Sequence, residues 1–84
     1  MELTVSELIG FFQREGILDD AYSLYADKDD AYCLIRQENE WLVYFSERGC
    51  RYELGWGKTE PQGLNLLRIF VLNGLGRFSS RSQA

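Results

Sequence analysis

The segment that most constrains the fold lies at the centre of the chain, where residues 41–49 read Trp-Leu-Val-Tyr-Phe-Ser-Glu-Arg-Gly. Its first five residues are aromatic, aliphatic or β-branched, which favours a strand, and it ends in a charged turn closed by glycine. Similar runs precede and follow it. The pattern predicts a three-stranded antiparallel meander with strands over residues 31–36, 40–45 and 50–54.

Two-residue turns between these strands predict which residues pair across the meander. Leu34 is expected opposite Val43, Phe45 opposite Tyr52, and Val43 opposite Leu54. One face is predicted to be the core face, and it carries Tyr32, Leu34, Trp41, Val43, Phe45, Tyr52 and Leu54, with Trp56 as a further candidate. The opposite face is too apolar at its centre to meet only water, and it carries Ala31, Cys33, Ile35, Leu42, Tyr44, Arg51 and Glu53.

A helix is predicted before the meander. A capping box at residues 4–7 and apolar residues at helical spacing predict a helix over residues 5–15, ended by glycine. The connector that follows is expected to hold one helical turn capped by Asp19 or Asp20. Its apolar residues are expected to anchor it to the core, and these are Ile17, Leu18, Tyr22 and Leu24.

A second helix is predicted after the meander. A capping box at residues 59–62 precedes a run of apolar residues, and two glycines after Asn73 are expected to end the helix. Residues 77–84 are polar and rich in serine, which predicts a disordered tail. The sequence therefore predicts one α+β domain over residues 1–76, with the order α-β-β-β-α and the three-stranded antiparallel meander packed against two helices.

Composition argues against several classes of function. The 84 residues include no histidine, which excludes a histidine base, and the two cysteines are too few for a structural zinc site. Cys33 and Cys50 are not paired by the predicted register, so two free thiols are expected. No apolar run is long enough to cross a bilayer, and the N-terminus lacks the pattern of a signal peptide. We therefore expect a cytoplasmic protein that is not an enzyme and has no cofactor or metal.

Charge is unevenly distributed along the chain. Residues 1–40 carry ten acidic and three basic side chains, whereas residues 41–84 carry three acidic and six basic ones. Such an acidic half repels nucleic acid and anionic lipid and attracts a basic protein. Neither a nucleic-acid partner nor a membrane is therefore expected. The alternative interpretation is a solvated face that only keeps a small protein soluble.

Two motifs resemble a known family. Residues 41–49 have the pattern Trp-x-Val-Tyr-aromatic-Ser-Glu-Arg-Gly, and the connector has an Ile-x-x-x-x-Tyr-Ser-Leu pattern at residues 17–24. Together they resemble small bacterial immunity proteins of polymorphic toxin systems. Proteins of that kind bind a cognate toxin and block it without catalysis. The resemblance therefore implies a protein partner, a toxin domain.

Two sets of residues are predicted to bind partners. The residues expected to contact the toxin are Asp19, Asp20, Asp27, Asp29, Asp30, Glu47 and Arg48. The alternative function is a structural or regulatory module that self-associates as a homodimer, either through the apolar last helix or through the second face of the sheet. The residues of that face expected to self-associate are Cys33, Ile35, Leu42 and Tyr44.

Overall fold

The computed structural model describes the backbone of residues 3–83 and the side chains of residues 3–74. The predicted tail, residues 77–84, lies outside the residues with described side chains and stays a prediction. The elements in chain order are α1 (Val5–Arg14), a 3₁₀ turn (Asp19–Ala21), β1 (Tyr22–Leu24), β2 (Ala31–Gln37), β3 (Glu40–Glu47), β4 (Cys50–Gly57) and α2 (Glu60–Gln83). α2 runs past the end predicted near Asn73, because glycine weakens a helix without necessarily ending it.

The sheet has four strands, in the order β1-β2-β3-β4. The neighbours β2, β3 and β4 are antiparallel, whereas β1 is parallel to β2. The α+β class is confirmed, but the prediction that a three-stranded antiparallel meander forms the whole sheet was wrong. Within the described residues, no helix combines the length and the apolar character that a bilayer crossing requires.

The additional strand, β1, lies in the segment predicted to be a connector. Tyr22 pairs with Tyr32, and Leu24 pairs with Leu34. Three residues are too few to show the alternation that distinguishes a strand from a loop. Only the presence of β2 beside it defines this segment as a strand.

The caps of the first two helical segments differ in how well they were predicted. The capping box at Thr4 is present at the start of α1. The 3₁₀ turn Asp19–Ala21 was predicted to be capped by Asp19 or Asp20, and this was wrong. Both aspartates lie inside the turn, so the residue at the N-cap position is Leu18. Its side chain is apolar, and the turn therefore has no side-chain cap.

The predicted register of the two hairpins is largely confirmed. Leu34 pairs with Val43, and Phe45 pairs with Tyr52. The predicted pairing of Val43 with Leu54 was wrong, because the register shifts between β3 and β4 at this point. Both turns retain the two residues that the sequence predicts.

A β-bulge in β4 causes the register shift. Val43 pairs with Gly55, so Leu54 is the extra residue of the bulge. Beyond a bulge the side chains exchange faces relative to the regular alternation. Trp56 therefore pairs with Leu42 and lies on the face opposite the one predicted for it.

The main core lies between one face of the sheet and the two helices. Its buried residues are Leu8, Phe12, Tyr22, Leu34, Val43, Leu64, Leu67 and Val71. Two residues predicted for this face, Tyr52 and Trp56, are 52% and 42% exposed, so their assignment to the core was wrong. Tyr52 is exposed because β4 is an edge strand, and Trp56 is exposed because the bulge turns it away from the helices.

α2 approaches the sheet closely at a pair of glycines. A Cβ at Gly57 would lie 2.8 Å from the backbone nitrogen of Gly63. A Cβ at Gly63 would lie 2.9 Å from Leu34 Cδ1 and from Trp41 Cβ. No side chain fits at either position, so these glycines set the distance between the start of α2 and the sheet.

The second face of the sheet has a small core of its own. Its buried residues are Ala31, Cys33, Leu42 and Tyr44, with Ile35 packed against them. The crossover segment, residues 25–30, returns from the end of β1 to the start of β2, and its residues Asp27 and Lys28 bond to this face. The hydroxyl of Tyr44 donates a hydrogen bond to Asp27 at 2.6 Å, and Cys33 Sγ donates one to the carbonyl of Lys28 at 3.4 Å. The prediction that this face is not simply exposed to water is confirmed.

Candidate binding surface at the acidic end of the sheet

Three loops meet at one end of the sheet. The 3₁₀ turn leads into β1, the crossover segment leads into β2, and a turn joins β3 to β4. Because β1 is parallel to β2 and Ala31 pairs with Ser46, all three loops lie at the same end. We call this region the acidic end, and its residues are Asp19, Asp20, Asp27, Asp29, Asp30, Glu47 and Arg48. The fold thus brings the seven residues predicted to contact a partner to one place.

The acidic end has more negative than positive charge. Its six carboxylates are accompanied by three cations, Lys28, Arg48 and Arg51, which leaves three negative charges without a counterpart. Lys28 Nζ lies 3.0 Å from Asp20 Oδ1, and Arg51 Nε lies 3.6 Å from Asp27 Oδ1. In the part of the chain with described side chains, no ion pair is formed by Asp19, Asp29, Asp30 or Glu47. These four exposed carboxylates remain available to a basic partner.

Asp27 differs from the other acidic residues because it is bonded to the sheet. Its Oδ1 accepts the 2.6 Å hydrogen bond from Tyr44, a residue that is fully buried. The guanidinium of Arg51 lies 4.6 Å from the centre of the Tyr44 ring. Burial and the bond to Asp27 raise the pKa of Tyr44, so its hydroxyl stays a donor. Asp27 therefore holds the crossover segment in place rather than presenting a free carboxylate.

An apolar residue adjoins the acidic end and was not predicted to be exposed. Leu18 precedes the 3₁₀ turn and is 75% exposed, so the expectation that it anchors the connector to the core was wrong. Ile17 packs against the core, and its backbone N–H bonds to Phe12. Successive residues of an extended segment point in opposite directions, so only one of the two can face the core.

The backbone of the acidic end is tightly turned. Arg48 and Gly49 have φ angles of 51° and 81°, and two consecutive positive values are typical of a type I′ hairpin turn. Asp30 has a φ of 58°, a left-handed conformation that aspartate tolerates better than most residues. The side chains of Glu47 and Arg48 are therefore presented from a short turn with little conformational freedom.

The residues predicted for self-association belong to the small core of the second face, and two of them, Cys33 and Tyr44, bond to the crossover segment. Cys33, Leu42 and Tyr44 are 0%, 1% and 0% exposed, and Ile35 is partly buried. A homodimer through this face requires the crossover segment to move aside, and self-association stays a prediction. Cys33 and Cys50 are both free thiols, and burial raises the pKa of Cys33. Among the described side chains, no three are arranged as metal ligands.

Comparison with known proteins gives no family assignment. No family model, no curated protein and no solved structure matches this chain. The resemblance to immunity proteins therefore rests on the motifs at residues 17–24 and 41–49 and stays a prediction. Any account of function depends on the surface itself.

Proposed function

We propose that this chain is a non-catalytic binding protein of the immunity type, which neutralises a cognate bacterial toxin by direct contact through the acidic end. The observation that supports the proposal is the convergence of carboxylates from three separate loops beside the exposed Leu18. Exposed apolar residues next to charged ones are common in protein interfaces. The charge of the acidic end complements a basic surface on the partner.

The carboxylates and the leucine would affect different steps of binding. Exposed carboxylates attract a basic partner over several ångströms and increase the association rate, an effect that salt screens. Burial of Leu18 against the partner decreases the dissociation rate. The type I′ turn and the bond between Tyr44 and Asp27 restrict two of the three loops, the turn between β3 and β4 and the crossover segment, which reduces the entropy lost on binding.

The test measures binding kinetics with the C-terminal domain of the protein encoded directly upstream. The acidic-end variant combines Asp29→Lys with Asp30→Asn, because asparagine also tolerates the φ of 58° at position 30. Loss of two carboxylates is expected to decrease the association rate about tenfold at low ionic strength, and less at high salt. Leu18→Ala is expected to increase the dissociation rate instead.

A matched control lies at the opposite end of the sheet. The double change Glu40→Lys and Glu38→Asn alters the net charge by the same amount, and Glu38 also has a φ of 58°. This variant is expected to keep most of the wild-type association rate. An equal decrease in both variants would mean that only net charge matters and would remove the acidic end from the proposal. No binding to the upstream domain at micromolar concentrations would refute the immunity role.

A further inference from the structure

A groove runs between α1 and the first part of α2, and it includes no residue of the acidic end. Its volume is about 1030 Å³. Cavities that hold small organic ligands have volumes of roughly 300–1,000 Å³, so the groove is large enough for one. Its walls include Leu3, Gly10, Phe11 and Arg14 on one side, and Asn65 and Arg68 on the other.

Two cations in the groove lack acidic partners. Arg14 and Arg68 form no ion pair with any side chain of residues 3–74, although the whole chain has a net charge of −4. Glu7 also lines the groove, where its carboxylate accepts a hydrogen bond from the backbone of Thr4 and offsets one of the two positive charges. The groove therefore offers positive charge to a ligand in an otherwise acidic molecule.

Arg68 is held in a fixed orientation. Asn65 Oδ1 accepts hydrogen bonds from its Nε at 3.1 Å and from its Nη2 at 2.7 Å. The guanidinium carbon also lies 5.6 Å from the centre of the Phe11 ring. These contacts leave Nη1 as a donor for an anion. Because the side chain is already ordered, binding an anion costs little further rotamer entropy.

Gly10 leaves the wall of the groove open at a position where packing does not require glycine. A Cβ at this position would have only Arg14 Nη1 within 4 Å, at 3.6 Å, which is an ordinary contact. Glycine is the least favourable residue after proline inside a helix, so it weakens α1 here. Its effect is to let a ligand approach the backbone of α1 beside Arg14.

From these observations we infer that the groove is a second binding site, for an organic anion that carries an apolar group next to its carboxylate, phosphate or sulfonate. The anionic group lies between Arg14 and Arg68. The apolar group packs against Phe11 and Leu3. This inference does not rest on the proposed function, because the groove and the acidic end share no residue and have opposite charges.

The test uses anilinonaphthalene sulfonate, an aromatic sulfonate whose fluorescence increases in an apolar environment. Saturable binding at one site is expected. Arg68→Gln and Arg14→Gln should each weaken it about tenfold, since each removes a charge-assisted contact to the sulfonate. Gly10→Leu should weaken binding by placing a side chain beside Arg14, where the ligand would approach the backbone of α1, while leucine maintains the helix. Circular dichroism checks that each variant is folded.

Arg36→Gln serves as the matched control, because Arg36 lies over Trp41 and does not line the groove. It should bind the probe as the wild type does. Equal affinity in all variants would overturn the inference, since the probe would then bind elsewhere. Octanoate should displace the probe at a much lower concentration than acetate does. Equal displacement by the two would overturn the requirement for an apolar group.

Discussion

The hydrogen bond between Tyr44 and Asp27 makes a testable contribution to stability. Tyr44→Phe removes the hydroxyl and keeps the buried ring. We expect the crossover segment to lose its attachment to the second face of the sheet, because Asp27 is the acceptor at 2.6 Å. The ring remains packed with Cys33 and Leu42, so no cavity larger than one oxygen atom forms.

The magnitude follows from the surroundings of Asp27. A hydrogen bond to a charged group contributes about 1.5–3 kcal/mol to stability. The Asp27 side chain is 52% exposed and keeps Arg51 at 3.6 Å, so water and Arg51 solvate the carboxylate after the hydroxyl is removed. The expected loss is therefore at the lower end, about 1.5 kcal/mol. For a domain of this size that corresponds to a decrease in Tm of roughly 6–12 °C.

Urea unfolding and thermal unfolding of wild type and variant measure this loss. Tyr52→Phe is the matched control, because Tyr52 is 52% exposed, and it should change the free energy of unfolding by less than about 0.5 kcal/mol. In an Asp27→Ala background, Tyr44→Phe should have little further effect. A Tyr44→Phe variant as stable as the control would refute the structural role assigned to Asp27.

Further predictions concern the core, the thiols and alkaline pH. Gly57→Ala should lower the free energy of unfolding by about 3 kcal/mol, because its Cβ would lie 2.8 Å from a backbone nitrogen. Gly55→Ala is the matched control: its Cβ would make contacts of 3.4 Å or longer, so the loss should be less than about 1 kcal/mol. In a titration with a disulfide reagent, the exposed thiol of Cys50 should react at once, whereas the buried thiol of Cys33 should react only when the protein unfolds locally or globally. Equal reaction rates of the two thiols would contradict the burial of Cys33. Burial raises the pKa values of Tyr22 and Tyr44 from 10.0, and partial burial together with the hydrogen bond to Glu60 raises the pKa of Tyr25 to about 12. The stability that these groups contribute is complete below pH 10 and is lost as the pH rises through the raised values. The share of Tyr25 is small, because its side chain is 45% exposed and water screens it. Unfolding free energy that does not fall above pH 10 would contradict this pH dependence, and Tyr44→Phe should reduce the fall.

Features that depend only on residues close together in the sequence were predictable. The capping box at Thr4 depends on residues within one helical turn, and the two hairpin turns depend on two residues each. The strand β1 and the bulge at Leu54 were not predictable, because each depends on the strand that lies beside it. One inserted residue in β4 was enough to move Trp56 to the other face of the sheet.

The sequence predicted which charged residues form the candidate binding surface, but not their contacts or the exposure of the residues beside them. Sequence alone identified the acidic residues, because charge is visible without structure. The bond between Asp27 and Tyr44 could not be anticipated, since it requires the crossover segment to fold over the second face. The exposure of Leu18 was missed for a similar reason, because an Ile-Leu pair does not show which residue faces the core.

The most direct test of the central claim is an NMR titration of the isotopically labelled chain with the C-terminal domain of the protein encoded directly upstream. Binding through the acidic end predicts the largest amide shift changes at residues 18–20, 27–30 and 47–49, with small changes along α1 and the outer edge of β4. Largest changes in the groove between α1 and α2, or along β4, with the acidic end unaffected, would contradict the claim.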